Sequence, residues 1–210
     1  HKAIRRQRQM CIRDRYNVFY GRMGDAAVAT MGVCTTINDL VWVAIFALMN
    51  ATAIIVGKAL GAGDRERAYL YAKRMMAGAL AAGVALGVAV IAVRWPLVNI
   101  FSGLSYPVRD KAQFILLLGG MTIWFRAFNT INIVGVLRSG GDTLFSLCLD
   151  VGTLWLVGVT STGLAALVFH WPLEWVYACT FLEEAVKMAV GIPHFKKKQW
   201  MNVLTEQPQG

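Results

Sequence analysis

The chain has 210 residues, of which 57% are hydrophobic and 16% charged, with a formal net charge of +9 and a mean hydropathy of +0.51. Soluble domains run at about 45–50% apolar and about 25% charged, so the composition excludes an ordinary soluble domain as well as a disordered chain, and it points to a membrane protein. Four cysteines, Cys11, Cys34, Cys148 and Cys179, are too sparse for a disulfide scaffold.

The charge does not mark a nucleic-acid groove. Lys2, Arg5, Arg6, Arg8, Arg13 and Arg15 against Asp14 supply +5 of the +9, and no basic stripe interleaved with aromatics follows, so no nucleic-acid partner is expected.

A span needs about 20 apolar residues, because a helix rises about 1.5 Å per residue through a hydrocarbon core of about 30 Å. Five runs qualify: 26–57, broken by Asp39; 75–93, without charge; 112–137, broken by Arg126; 143–169, broken by Asp150; and 175–195, which holds Glu183, Glu184 and Lys187. They must be helical, since a lone strand leaves its backbone unsatisfied in lipid. The connections carry breakers. Gly61-Ala62-Gly63-Asp64 ends the first span and Trp95-Pro96 the second, and His170-Trp171-Pro172 separates the last two. Arg138-Ser139-Gly140-Gly141-Asp142-Thr143 reads as a tight turn, with Asp142 or Thr143 as the helix cap. Trp95, Trp171, Trp175 and Trp200 sit near span ends, as an interfacial aromatic belt does.

Basic residues fix the expected orientation. Lys58, Arg65, Arg67, Lys73, Arg74, Arg138, Lys196, Lys197 and Lys198 lie on one side, nine in all, against Arg22, Arg94, Arg109 and Lys111 on the other, four in all. The first side is expected in the cytoplasm, with the C-terminus and a tail from 201 to 210. Five spans then put residues 1–15 outside, giving ten against nine and erasing the bias. We therefore expect residues 16–20 to be the last turn of an earlier span. Residues 1–15 have no apolar core of a signal peptide and are expected to be a foreign or disordered basic segment, the alternative being a native juxtamembrane arm.

Two loops carry a resemblance. Tyr20-Gly21-Arg22-Met23-Gly24 precedes a span that ends Asn50-Ala51-Thr52-Ala53-Ile54-Ile55-Val56-Gly57-Lys58-Ala59-Leu60-Gly61-Ala62-Gly63-Asp64, with Ala68-Tyr69 beyond it; the second loop is Gly135-Val136-Leu137-Arg138-Ser139-Gly140-Gly141-Asp142-Thr143. With these spans between them, residues 16 to about 200 resemble the multidrug and toxic-compound extrusion (MATE) family. The resemblance implies an all-α membrane protein: most of the C-terminal six-helix lobe of a twelve-helix antiporter in the inner membrane. Such a protein exports drugs or other organic cations against Na⁺ or H⁺ and needs no cofactor. Its partners would be membrane lipid, the missing N-terminal lobe and small cationic substrates. Some members carry cation-binding acids on span seven and span ten. Here span seven is nearly absent, and Phe125-Arg126-Ala127-Phe128-Asn129-Thr130-Ile131-Asn132 holds no carboxylate.

Charges inside a span cost about 2.5–3.5 kcal/mol on insertion scales, so they face a cavity or a partner. Asp39, beside Asn38, is the first candidate for the substrate or ion pathway, or else it pairs with Arg126. Asn129 and Asn132 share roughly one face with Arg126 and either line the path or bond between helices. Asp150, a weaker candidate, either bonds the Arg138 turn or takes a transport role. Glu183 and Glu184 lie four and three residues from Lys187, which is intrahelical pairing geometry and favours structure over transport. Gly83 and Gly87, like Gly57 and Gly61, make small-residue matches whose default is close helix packing. Met75, Met76, Met121 and Met188 suit either an adaptable pocket or ordinary packing.

Neither metal-ligand clusters nor a phosphate loop of the GxxxxGK[ST] type appears in the sequence, so transport would draw on an ion gradient. An intramembrane enzyme would need a Ser–Lys, Ser–His or paired-His arrangement at depth, and none is visible; the protein is not expected to be an enzyme. The alternatives are a lipid-linked oligosaccharide flippase or polysaccharide exporter of the same superfamily, or a small non-transporting membrane subunit.

Overall fold

The computed structural model describes residues 21–22, 25–100 and 105–202. The expectations for 1–15 and for 16–20 lie outside the described residues. Five long helices follow in order: α1 (Asp25–Gly61), α2 (Arg65–Ile100), α3 (Tyr106–Leu137), α4 (Thr143–Val168) and α5 (Leu173–Lys196). The last seven residues of α3, Ile131–Leu137, wind as a π-helix, as do Leu154–Val159 and Leu164–Val168 within α4. The protein is an all-α membrane protein: α1 to α4 are each long and apolar enough to cross a membrane. α5 has 24 residues, long enough to cross, but Glu183, Glu184 and Lys187 interrupt its apolar run.

Three helices outrun the expected spans, α3 by starting at Tyr106. α2 starts at Arg65, ten residues before the apolar run, and passes Trp95 and Pro96 without stopping. An apolar run records depth in lipid, not helix length. Arg, Glu, Ala and Leu in 65–74 are good helix formers and continue the helix into water, and one proline removes a single donor and need not end it. α1 reaches 37 residues, or ~55 Å, so its ends project beyond the apolar slab.

The α1–α2 break is built as the sequence suggests. Gly63 takes φ +78, which glycine adopts at little cost, and the amide of Asp64 donates to the Ala59 carbonyl. Asp64 then caps α2 by accepting the amide of Arg67 at 2.9 Å. At the other end of the bundle, His170 at φ 50 separates α4 from α5.

α2 and α3 make the most extensive helix contact. Gly83 and Gly87 are the reason: a Cβ on Gly87 would stand 2.3 Å from the Gly120 carbonyl oxygen, and one on Gly83 2.6 Å from the Trp124 Cα. Gly57 and Gly61 are different. A Cβ on either meets nothing within 4 Å, so that pair packs no helix among the described residues; the spacing is common, and only what lies opposite makes it an interface.

Apolar side chains form two buried clusters. One joins Cys34, Ile37 and Ile45 of α1 to Ile115, Ile123 and Ala127 of α3 and Val176 of α5. The other joins Met49 and Val56 to Phe128, Ile131 and Val136 and to Phe195 and Trp200. Large apolar side chains also point outward, Leu40, Val43 and Leu156 among them, as a lipid-facing surface requires.

The chain does not leave the bundle at residue 201 as a free tail. Trp200 is fully buried, donates its indole N–H to the Phe195 carbonyl at 3.1 Å, and lies so close to Gly140 that a Cβ there would stand 2.3 Å from its ring. Asn202 donates its amide to Gly140. The rest of the expected tail, beyond Asn202, lies outside the described residues.

Candidate functional site

The seam between the two apolar clusters runs through Ala127 and Phe128 of α3, and the charged residues gather at that level. Glu184 lies eleven residues from the start of α5 and twelve from its end. The Arg126 guanidinium of α3 stands 3.8 Å from the Glu184 carboxylate and 5.3 Å over the ring of Trp42 on α1, within cation–π range. Asn129, one turn further along α3, donates its amide to the Glu184 carboxylate at 2.9 Å and to the Glu184 carbonyl at 2.8 Å. Arg126 thus links three helices, its guanidinium meeting both the Glu184 carboxylate of α5 and the Trp42 ring of α1.

A second group lies beside it. Lys187 contacts Glu183 at 2.6 Å within α5 and Asp150 of α4 at 3.1 Å. Asp150 is 3.6 Å from Arg138, whose Nε donates to the Ser146 hydroxyl at 3.2 Å. Glu183 and Lys187 are both buried. Across the two groups Asp150, Glu183 and Glu184 balance Arg126, Arg138 and Lys187 in formal charge. Such balance is what makes buried charges tolerable, and removing one partner leaves the other exposed to the full desolvation cost.

Asn132 is fully buried, at the second position of the π-helical stretch. Neither of its side-chain polar atoms has a hydrogen-bond partner among the described residues. A Cβ on Gly191 of α5 would stand 2.9 Å from its Nδ2. π-turns inside α-helices recur at functional sites, and a buried unpaired amide is costly.

The remaining candidates fall on α1. Asp39 is exposed, next to exposed Leu40. Asn38 is half-buried and lies within reach of the buried Tyr177 phenol of α5. Arg126 has a carboxylate partner in Glu184 that spacing along the sequence does not indicate. The Glu183–Lys187 and Asp150–Arg138 contacts have the spacing and position the sequence indicated. The Asp150–Lys187 link and the Trp42 ring were missed, because contacts between distant spans leave no local signal.

Asp142 or Thr143 was expected to cap α4. Asp142 stands at the cap position but makes no cap bond; its carboxylate meets His194 of α5, whose ring stacks on Phe145. A charge-assisted partner on another helix replaces the local amide.

The MatE family model matches residues 15–160, more than two thirds of the chain. Among solved structures, the chain resembles a crystal structure of MATE in complex with MaD5, with TM-score 0.83 and 15% identity over 95% of this chain and 45% of that one. It also resembles a crystal structure of MATE in complex with MaD3S, with TM-score 0.81 and 16% identity over 93% and 44%. At these identities the likeness is one of fold. The chain spans less than half the length of either structure. No curated protein matches it.

Proposed function

The chain belongs to the MatE family, and on that footing we propose that it supplies most of the C-terminal lobe of a cation-coupled exporter. The observation that carries the reading is Glu184 at the midpoint of α5, held by Arg126 and Asn129 of α3, with the Arg126 guanidinium also over the Trp42 ring of α1. A proton on Glu184, or Na⁺ in the place of Arg126, loosens the tie between α3 and α5. The lobe then has two arrangements whose populations depend on the coupling ion. One lobe rocks against the other and presents the cavity to each side in turn. Asp39, on the open face of α1, is the group that would meet a cationic drug arriving between the lobes, with Asn38 beside it.

The nine-to-four basic asymmetry supports an orientation in which 58–74 and 196–198 are cytoplasmic and the protein resides in the inner membrane.

Reconstitution of the complete two-lobe transporter in liposomes tests the reading. An imposed pH or Na⁺ gradient should drive a fluorescent organic cation against its own gradient, and collapse of the ion gradient should stop it. Movement indifferent to both ions, or none at all beside flipping of a lipid-linked oligosaccharide, would overturn it.

A further inference from the structure

A cavity of about 590 Å³ opens between the end of α1 and the start of α2. Lys58, Arg67 and Arg74 line it, with Tyr71 beside them. Arg67 is engaged by Asp64 at 3.0 Å; Lys58 and Arg74 are exposed and meet no carboxylate among the described residues. Ile55 and Met75 line the same cavity. Lys58 ends the apolar run 26–57 of α1 and Arg74 precedes the apolar run 75–93 of α2, so Ile55 and Met75 each lie within the apolar run that the cation on the same helix bounds. From Met75 to Val93, α2 carries no charge. Each helix therefore brings a cation and an apolar side chain to the cavity at the end of its apolar run, where a bilayer changes from headgroup to acyl chain.

We propose that this cavity binds an anionic phospholipid, with its phosphate between Lys58 and Arg74 and an acyl chain along Ile55 and Met75. The charge complements an anionic headgroup, and the apolar side chains of the lining, which a free phosphate would not use, select a lipid. Tyr71, an amphipathic ring, sits at headgroup level. Placement in the cytoplasmic leaflet rests on the orientation proposed above, but lipid binding itself does not. The tethered α1–α2 loop would be held against the membrane surface while the lobes move.

Native mass spectrometry of the protein released from nanodiscs of mixed phosphatidylglycerol and phosphatidylcholine reads the site without reference to leaflet or transport, so failure of the transport reading leaves this measurement intact. Wild type should retain phosphatidylglycerol over phosphatidylcholine. Each cation removed should reduce that preference roughly fivefold, and K58Q/R74Q about 25-fold, as expected for basic residues beside an anionic surface. K196Q/K197Q removes the same charge elsewhere and should retain the preference. Should K58Q/R74Q fail to fold, a photoreactive phosphatidylglycerol with its crosslinker in the acyl chain reports on wild type, and its label should fall on peptides containing Ile55 or Met75. Equal retention of the two lipids by wild type, equal loss in the K196Q/K197Q control, label falling elsewhere, or complete displacement of the lipid by inorganic phosphate would each overturn the proposal.

Discussion

Glu184 of α5 faces Arg126 of α3 across 3.8 Å, with side chains 16% and 34% exposed, and Asn129 fixes the carboxylate from the same helix as the arginine. The pair is neither a surface ion pair nor a sealed one, and that intermediate burial sets its behaviour under mutation. Breaking a fully buried pair costs about 3–5 kcal/mol; partial solvation here reduces this to roughly 1–3 kcal/mol for R126Q alone, because Glu184 is left without its cation. R126Q/E184Q should recover much of the loss. Thermal unfolding in detergent measures both; a double variant no more stable than the sum of the singles would show that the two do not interact.

Gly87 and Gly57 share a sequence pattern and differ in what stands opposite. Gly87→Ala forces a methyl against the Gly120 carbonyl oxygen, and overpacking of this kind costs about 1–3 kcal/mol. Gly57→Ala meets open space and should be neutral or stabilising by up to about 1 kcal/mol, through helix propensity. Melting temperatures of the two variants should move in opposite directions, or that of Gly87→Ala alone should fall.

The C-terminal segment is a clasp. Trp200 stacks on Phe195, which stacks on Tyr69 of α2, and Gly141 at φ +92 leaves the turn free to bridge Met201. Trp200→Ala should cost about 3–5 kcal/mol, as for large buried aromatics, and should open the segment after Lys196 to protease. Gly140→Ala, which leaves Trp200 in place but fills its seat, should give the same cleavage pattern. Protection equal to wild type in both would remove the clasp.

Orientation is tested by single cysteines at Asp64 and Ser105, in a background lacking the native cysteines. An impermeant thiol reagent on intact cells should label Ser105→Cys and spare Asp64→Cys until the membrane is opened. Equal labelling on intact cells contradicts the orientation.

Hydropathy and breakers made the helices legible, because each span is a local property of about 20 residues. Gly63 and His170 sit at the connections where their neighbours predicted them. Helix length was less legible: nothing in an apolar run says that Arg65–Arg74 continues it in water. Contacts at i,i+4, such as Glu183 with Lys187, could be read from spacing. Arg126 with Glu184, Lys187 with Asp150 and Asp142 with His194 could not, because each joins residues more than thirty positions apart whose meeting depends on helix rotation and depth. Asn132 stands out by its polarity within a span; that its amide is buried without a partner among the described residues depends on the approach of α5 at Gly191.

The central claim is that neutralising Glu184 couples ion binding to the lobe. The decisive measurement is gradient-driven export by the complete transporter carrying Glu184→Gln, which keeps shape and hydrogen bonding to Asn129 but removes the charge, compared with Asp39→Asn. The account predicts that E184Q still binds the organic cation but loses at least tenfold of its dependence on the pH or Na⁺ gradient, while D39N keeps that dependence and binds the cation more weakly. Wild-type gradient dependence in E184Q, with the variant folded, would contradict it.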